Sequence, residues 1–245
     1  MKRLKKVILA LILIICATSA GAAIYINDYY RATDEAWKSI TQPSNGVEVE
    51  TTEEGMYVFT KEGADKGIIF YPGGKVQAES YGPLMEALAK RGFVTVLVEM
   101  PGNLAVLDIE AAEGIQERFE NVDQWYIAGH SLGGTMAGEY VAEHQEDFEG
   151  IILLGSYVVE DLSDSDLKAI SIYGSNDKVL NMEKYMENKK NLPCNYYEIV
   201  IKGGCHSGFG NYGHQEGDGN VEISSFEQIE RTAWEIEKWV QLKKR

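Results

Sequence analysis

From residue 67 onward one pattern repeats along the chain: a short apolar run, a stop at glycine, proline or a polar residue, then a longer stretch with helical spacing. The runs are Ile68-Ile69-Phe70-Tyr71, Phe93 to Val98, Trp125 to Ala128, Ile151 to Leu154, Ala169 to Tyr173 and Tyr196 to Ile201. Apolar runs this short, with little polar alternation, are the mark of strands buried on both faces. Between and after them, Tyr81 to Arg91, Leu107 to Phe119, Thr135 to His144, Met182 to Leu192 and Phe226 to about Leu242 read as helices. The alternation predicts an α/β fold with a mostly parallel central sheet flanked by helices on both faces. Ahead of it, Val47 to Glu50 and Met56 to Thr60 alternate around Glu53-Glu54-Gly55, which predicts an opening hairpin. Sites in open parallel sheets form beyond the carboxyl ends of the strands. The chemistry is therefore sought in the residues that follow each run.

One of those places carries Gly129-His130-Ser131-Leu132-Gly133-Gly134, a G-x-S-x-G sequence between a predicted strand and a predicted helix. A serine at such a turn stands exposed above the sheet edge, and near side-chain-free neighbours let the backbone pass close. A serine hydroxyl is a poor nucleophile at neutral pH and requires a base, itself oriented by a carboxylate. The chain has four histidines. His130 adjoins the serine and is expected to point away from it, and His144 falls at the end of a surface helix. His206 follows the last predicted strand within Gly203-Gly204-Cys205-His206-Ser207-Gly208 and is favoured as the base, with His214 as its rival. For the acid, the order serine, acid, histidine points to Asp177 in Tyr173-Gly174-Ser175-Asn176-Asp177. Asp161, Asp164 and Asp166 read as ordinary solvated acids of a polar link.

Acyl transfer also requires N–H donors aimed at the developing oxyanion, each worth about 3 to 4 kcal/mol in the transition state. The backbone N–H of Leu132 is one candidate; the other is that of Gly74 or of Lys75, in the loop Pro72-Gly73-Gly74-Lys75. Neither metal nor cofactor is required by such a reaction. The Phe209 to Gly219 segment contains Asn211, Glu216 and Asp218, but lacks the spacing of a calcium loop and reads as a glycine-rich surface loop.

With these motifs in this order the chain resembles the α/β-hydrolases, and among them the bacterial membrane-anchored members of the dienelactone-hydrolase-like branch. The resemblance runs from about Val47 to Val240. It is carried by Phe70 to Val76, Met100-Pro101-Gly102-Asn103-Leu104-Ala105, Gly129 to Gly134, Tyr173 to Asp177 and Gly203 to Gly213. It implies the α/β-hydrolase fold, with Ser131 as nucleophile, Asp177 as acid and His206 as base. Serine stands where dienelactone hydrolases proper use cysteine, a departure that bears on lactone specificity. Only a dozen or so residues separate Ile151–Leu154 from the next predicted strand, which leaves little room for a lid. An open cleft suits short acyl esters or the end of a larger substrate, with Asn103, Tyr157 and Phe209 as candidates to line it, and Lys75 beside them. The expectation is a serine esterase acting on a small-molecule acyl substrate. A peptidase, thioesterase or acyltransferase with the same triad, or a non-catalytic binding module on the same fold, are the alternatives.

Residues 1–26 have a different character. Lys2, Arg3, Lys5 and Lys6 precede an uncharged apolar run from Val7 to about Ile26, long enough for a signal anchor or transmembrane segment. Positively charged flanks stay cytoplasmic, so the expectation is a membrane-anchored chain with residues 27–46 as a stalk and 47–245 as an extracytoplasmic domain, or secretion after signal cleavage. Net charge is −15, and the chain beyond the basic flank is more acidic still. Such a surface repels phosphate backbones and makes nucleic acid a poor partner. Of the three cysteines, Cys194 and Cys205 bracket a predicted strand, and its rise of about 3.3 Å per residue holds them beyond disulfide reach.

Overall fold

The computed structural model describes residues 2–242, with some side chains of the first helix outside the description. Eight strands form one sheet: β1 (Val47–Thr51), β2 (Tyr57–Lys61), β3 (Lys66–Tyr71), β4 (Phe93–Leu97), β5 (Gln124–His130), β6 (Gly150–Leu154), β7 (Lys168–Gly174) and β8 (Tyr197–Ile201). Their order is β1-β2-β4-β3-β5-β6-β7-β8. The expected hairpin pairs β1 with β2, and β2 runs antiparallel to β4; every other pair is parallel. This is the α/β-hydrolase fold.

Why these runs are strands shows in their burial. Along β3, Ile68 and Phe70 face one side of the sheet while Ile69 and Tyr71 face the other, and all four are fully buried. A strand alternates its side chains between two faces, so a run apolar at every position needs cover on both. One face is covered by α3 (Gly82–Ala89) through Leu84, Met85 and Leu88, and by α6 (Ser225–Gln241) through Ile229, Ile236 and Trp239. The apolar positions of α6 recur at helical spacing, and Ser224 caps it by accepting the Glu227 N–H at 3.2 Å. The opposite face is covered by α4 (Leu132–Glu143) through Met136, Ala137, Tyr140 and Val141. A further helix, α5 (Met182–Asn188), lies beyond β7.

The stretch Leu107–Phe119, expected as one helix, is instead a chain of short 3₁₀ turns at Ala105–Leu107, Ile109–Ala112 and Gln116–Arg118. Two causes stand out. Gly114 interrupts the stretch at φ +69°, and the buried Tyr71 hydroxyl donates to Ile109 O at 2.6 Å while accepting the Ala112 N–H at 2.9 Å. A side chain from the sheet thus takes backbone partners that an α-helix would have used.

The N-terminal helix α1 runs over Lys2–Asn27. The expected apolar span falls partly on side chains outside the described residues, as does Met1 of the basic flank. Among the described residues no helix is long and apolar enough to cross a membrane. The segment expected as a stalk holds a short helix, α2 (Asp34–Thr41), capped by Thr33, whose Ala36 and Ile40 are buried. Ahead of α2 the chain lies along the body: Tyr30 donates its N–H to Lys75 O at 2.8 Å, and its O accepts the Gln77 N–H at 2.9 Å. Cys16, Cys194 and Cys205 are all free.

Candidate active site

Strand β5 continues two residues past its predicted end, through Gly129 and His130, because both pair with β6 at Leu153 and Leu154. Helix α4 begins at Leu132, so Ser131 alone makes the turn. Its φ of +52° and ψ of −123° are strained values for a residue with a Cβ. The turn is fastened by the Ser131 N–H donating to Leu154 O at 2.9 Å and by the Ser156 hydroxyl donating to Ser131 O at 2.7 Å. Its tightness explains the flanking glycines: a Cβ on Gly133 would lie 2.3 Å from Tyr71 O and Pro72 O.

His206 and Asp177 reach this point from two other strand ends. Asp177 follows β7 and His206 follows β8, within a 3₁₀ turn over His206–Phe209. Both are buried, with His206 Nδ1 2.8 Å from Asp177 Oδ2. An ionised carboxylate only accepts, so the proton of this bond sits on Nδ1. The other carboxylate oxygen of Asp177 accepts the N–H groups of Val179 and Leu180 at 2.9 and 2.8 Å, which fixes the acid. His206 Nε2 is buried without a hydrogen-bond partner. Ser131, Leu132, Tyr157, Leu180 and His206 line one cleft of about 280 Å³. Gly155, at φ +51°, also lines it, and a Cβ there would meet His206 Nδ1 at 3.0 Å and Asp177 Oδ2 at 3.2 Å.

The other expected residues divide. Tyr157 lines the cleft. His214 is exposed and lines a separate pocket with Cys205 and Ser207, while Asp161, Asp164 and Asp166 are exposed as solvated acids. Phe209, expected at the cleft, is instead fully buried, with its ring 5.5 Å from that of His130. Asn103, also expected there, serves through its backbone: its O accepts the Lys75 N–H at 2.7 Å. That bond removes Lys75 as an oxyanion donor, since its amide is already committed. The Lys75 side chain turns to Asp28, 2.7 Å away, and to the Tyr25 ring. Gly74 remains, next to Leu132: a Cβ on Gly74 would meet the Leu132 side chain at 2.9 Å. Leu132 opens α4, where a backbone N–H has no acceptor within the helix.

Three residues hold places at the site that the sequence reading did not give them. His130 is fully buried, its ring 4.4 Å from that of His206. The Tyr81 hydroxyl accepts the Gly73 N–H at 3.0 Å, which leaves its own proton for His130 Nδ1 at 2.8 Å. Burial, and secondarily the nearby His206, hold the His130 pKa well below 6.5, so this ring stays neutral. Asp218, from the loop read as surface, reaches under the His206 turn. The signal for Tyr81 and His130 was slight: a tyrosine in a helix and a histidine inside a motif. The signal for Asp218 was an acid among glycines.

A second groove, of about 350 Å³, lies at the far end of the sheet between the starts of β7 and β8 and the end of α6. It holds exposed Cys194 but no histidine to activate it.

Residues 67–230 match the Alpha/beta hydrolase family. No curated protein matches the chain. Among solved structures, a dienelactone hydrolase from Anabaena variabilis is similar with a TM-score of 0.61 at 13% identity, over 82% of this chain and 100% of that one. Est1E from Butyrivibrio proteoclasticus is similar with a TM-score of 0.58 at 14% identity, over 81% of this chain and 100% of that one. A predicted CIB-like hydrolase from Thermoplasma acidophilum gives 0.57 at 18% identity, over 78% of this chain and 98% of that one. Identities this low speak to the fold.

Proposed function

Since the chain belongs to the alpha/beta hydrolase family, we propose that it is a serine hydrolase cleaving a carboxylic ester or related acyl bond through an acyl-enzyme. The observation that carries this reading is the buried His206–Asp177 pair at 2.8 Å, with its unpartnered Nε2 in the same cleft as the strained Ser131. Similarity to a dienelactone hydrolase and to Est1E, the latter also solved with ferulic acid bound, supports a small acyl substrate.

In this mechanism His206 Nε2 takes the proton of Ser131 Oγ as that oxygen attacks the substrate carbonyl carbon. Negative charge collects on the former carbonyl oxygen, where the N–H groups of Leu132 and Gly74 stabilise it. The imidazolium then returns its proton to the leaving oxygen, and the acyl group stays on Ser131. Water, deprotonated by the same Nε2, attacks the acyl carbon; the bond to Ser131 Oγ breaks, Oγ takes the proton back from the imidazolium, and the acid leaves. Asp177 holds the ring in the tautomer with Nε2 free and stabilises the imidazolium. With a cleft of about 280 Å³ and a short connection between β6 (Gly150–Leu154) and β7 (Lys168–Gly174), the short acyl ester is the favoured substrate class.

Labelling of the full chain with a fluorophosphonate probe tests the reading. Wild type is expected to label and Ser131→Ala is not, with hydrolysis of p-nitrophenyl esters lost in parallel. Equal labelling of the two proteins would sink the assignment.

A further inference from the structure

We propose that Asp218 is a positioning residue for the His206–Asp177 pair, clamping together the two loops that carry them; this rests on the serine-hydrolase reading above. The hydrogen bonds of its carboxylate are the reason. Oδ2 accepts the Ser207 N–H at 2.8 Å and the Ser207 hydroxyl at 2.9 Å, while Oδ1 accepts the His206 N–H at 3.1 Å and the Gly219 N–H at 2.8 Å. Oδ1 also meets the Lys178 N–H at 3.4 Å, directly after Asp177. One side chain therefore touches the backbone of the base and the residue following the acid.

The neighbours of Asp218 extend the clamp. Asn220 O accepts from Asn176 Nδ2 at 3.0 Å, and Gly219 passes so close to Asn176 O that a Cβ there would lie 1.7 Å from it. On its other flank the His206 loop is held by Gln228 of α6, which accepts the Cys205 N–H at 3.0 Å and donates to Cys205 O at 2.8 Å. Gln228 thus fixes the residue before the base, and Asp218 fixes the base and the residue after it. Without Asp218, the N–H groups of His206 and Ser207 would lose their acceptor, and the two loops would stay joined through the Asn176 N–H to Gly204 O at 2.8 Å and the Gly203 N–H to Ser175 Oγ at 2.9 Å, bonds that leave the backbone of the base itself unheld. The half-buried carboxylate is kept ionised: its pKa lies below the usual 3.8 because the amides of Ser207, Gly219 and His206 outweigh its desolvation.

Of the two side chains it aligns, His206 moves the proton and Asp177 orients it, whereas Asp218 acts through the backbone of both loops and the Ser207 hydroxyl. Removing it is expected to lower kcat and leave substrate binding intact. A displacement of about 1 Å in a catalytic group costs up to about 100-fold. For Asp218→Ala in the full chain the expectation is a kcat for p-nitrophenyl acetate reduced roughly 10- to 100-fold, with KM changed less than about threefold. Asp218→Asn keeps one acceptor oxygen for His206 and Gly219 but turns an NH₂ toward Ser207, and should fall between. Asp164→Asn, at an exposed acid of the polar link, is the control and should match wild type.

A second measurement is independent of turnover. The His206 Nδ1–H bonded to Asp177 gives a low-field proton resonance, expected in wild type and in Ser131→Ala, and broadened or lost in Asp218→Ala. Thermal melting identifies which variant is folded; should the alanine protein not fold, the asparagine protein carries both readings. A folded Asp218 variant with wild-type kcat and an intact resonance would overturn the proposal. Should wild type neither label nor hydrolyse any ester, the serine-hydrolase reading fails, and the resonance still decides whether Asp218 positions the pair.

Discussion

At the residue scale the site juxtaposes two histidines with opposite requirements. On the proposed mechanism His206 Nε2, buried without a hydrogen-bond partner, must accept a proton; His130, its ring tilted 45° at 4.4 Å from that of His206, is enclosed and held neutral. The consequence for stability follows from linkage. A histidine whose folded pKa is depressed contributes fully above its unfolded value, near 6.5, and loses that contribution as pH falls below it, because only the unfolded chain then takes up the proton. From pH 6.5 downward the wild type should lose up to about 1.4 kcal/mol per pH unit from this group alone. Carboxylates held low, such as Asp218 and Glu198, act in a more acid window, below their ordinary 3.8 and 4.5. Urea melts between pH 7 and 5 should therefore show a steeper acid loss in wild type than in His130→Asn. Identical slopes would place the His130 pKa near its ordinary value.

At the element scale, the 3₁₀ segment between β4 and β5 shows how one side chain reshapes a stretch of backbone. Ala112 and Ile115, with Ala105 just before the stretch, are buried together against the face that α4 covers, while Leu107 stays exposed. The backbone of the segment is tied to the sheet by Tyr71, which satisfies Ile109 O and the Ala112 N–H at once. Tyr71→Phe keeps the ring and leaves both groups unpaired, which should cost about 1–3 kcal/mol per buried unsatisfied group. Denaturant unfolding is the check, and a stability within about 0.5 kcal/mol of wild type, the size of a neutral surface change, would show that water replaces the hydroxyl. Strand β5 gives the contrasting lesson. Glycine and histidine at its end read as turn, yet pairing with β6 draws them into the strand and delivers Ser131 to the sheet edge.

At the scale of the whole molecule, the arm before β1 is packed into the fold beside the candidate site. It bonds to Lys75 and Gln77 beside Gly74, to the 211–216 loop through Thr33 and the Tyr30 hydroxyl, and lays Ala36 and Ile40 against the core. Two shortened chains, one starting at Asn27 and one at Asn45, separate this role. Losing the arm removes about 2–4 kcal/mol of apolar burial and hydrogen bonding. At about 2–4 °C per kcal/mol for a chain of this size, the shorter protein should melt about 5–15 °C lower. Equal melting temperatures would show the arm to be a passive tether.

The sequence by itself determined the layered α/β architecture, the opening hairpin and the chain order of Ser131, Asp177 and His206. Each is written in local terms: apolar runs with period 2 or 3.6, glycine punctuation, and short motifs at strand ends. Only the tertiary structure decided what those motifs meet. That Lys75 gives its amide to Asn103, that Phe209 is buried behind His130, and that Asp218 bridges two loops all depend on residues tens of positions apart. Hydrogen bonds of that kind have no sequence period. They arise where the sheet brings loop ends together, and that is where this site is held.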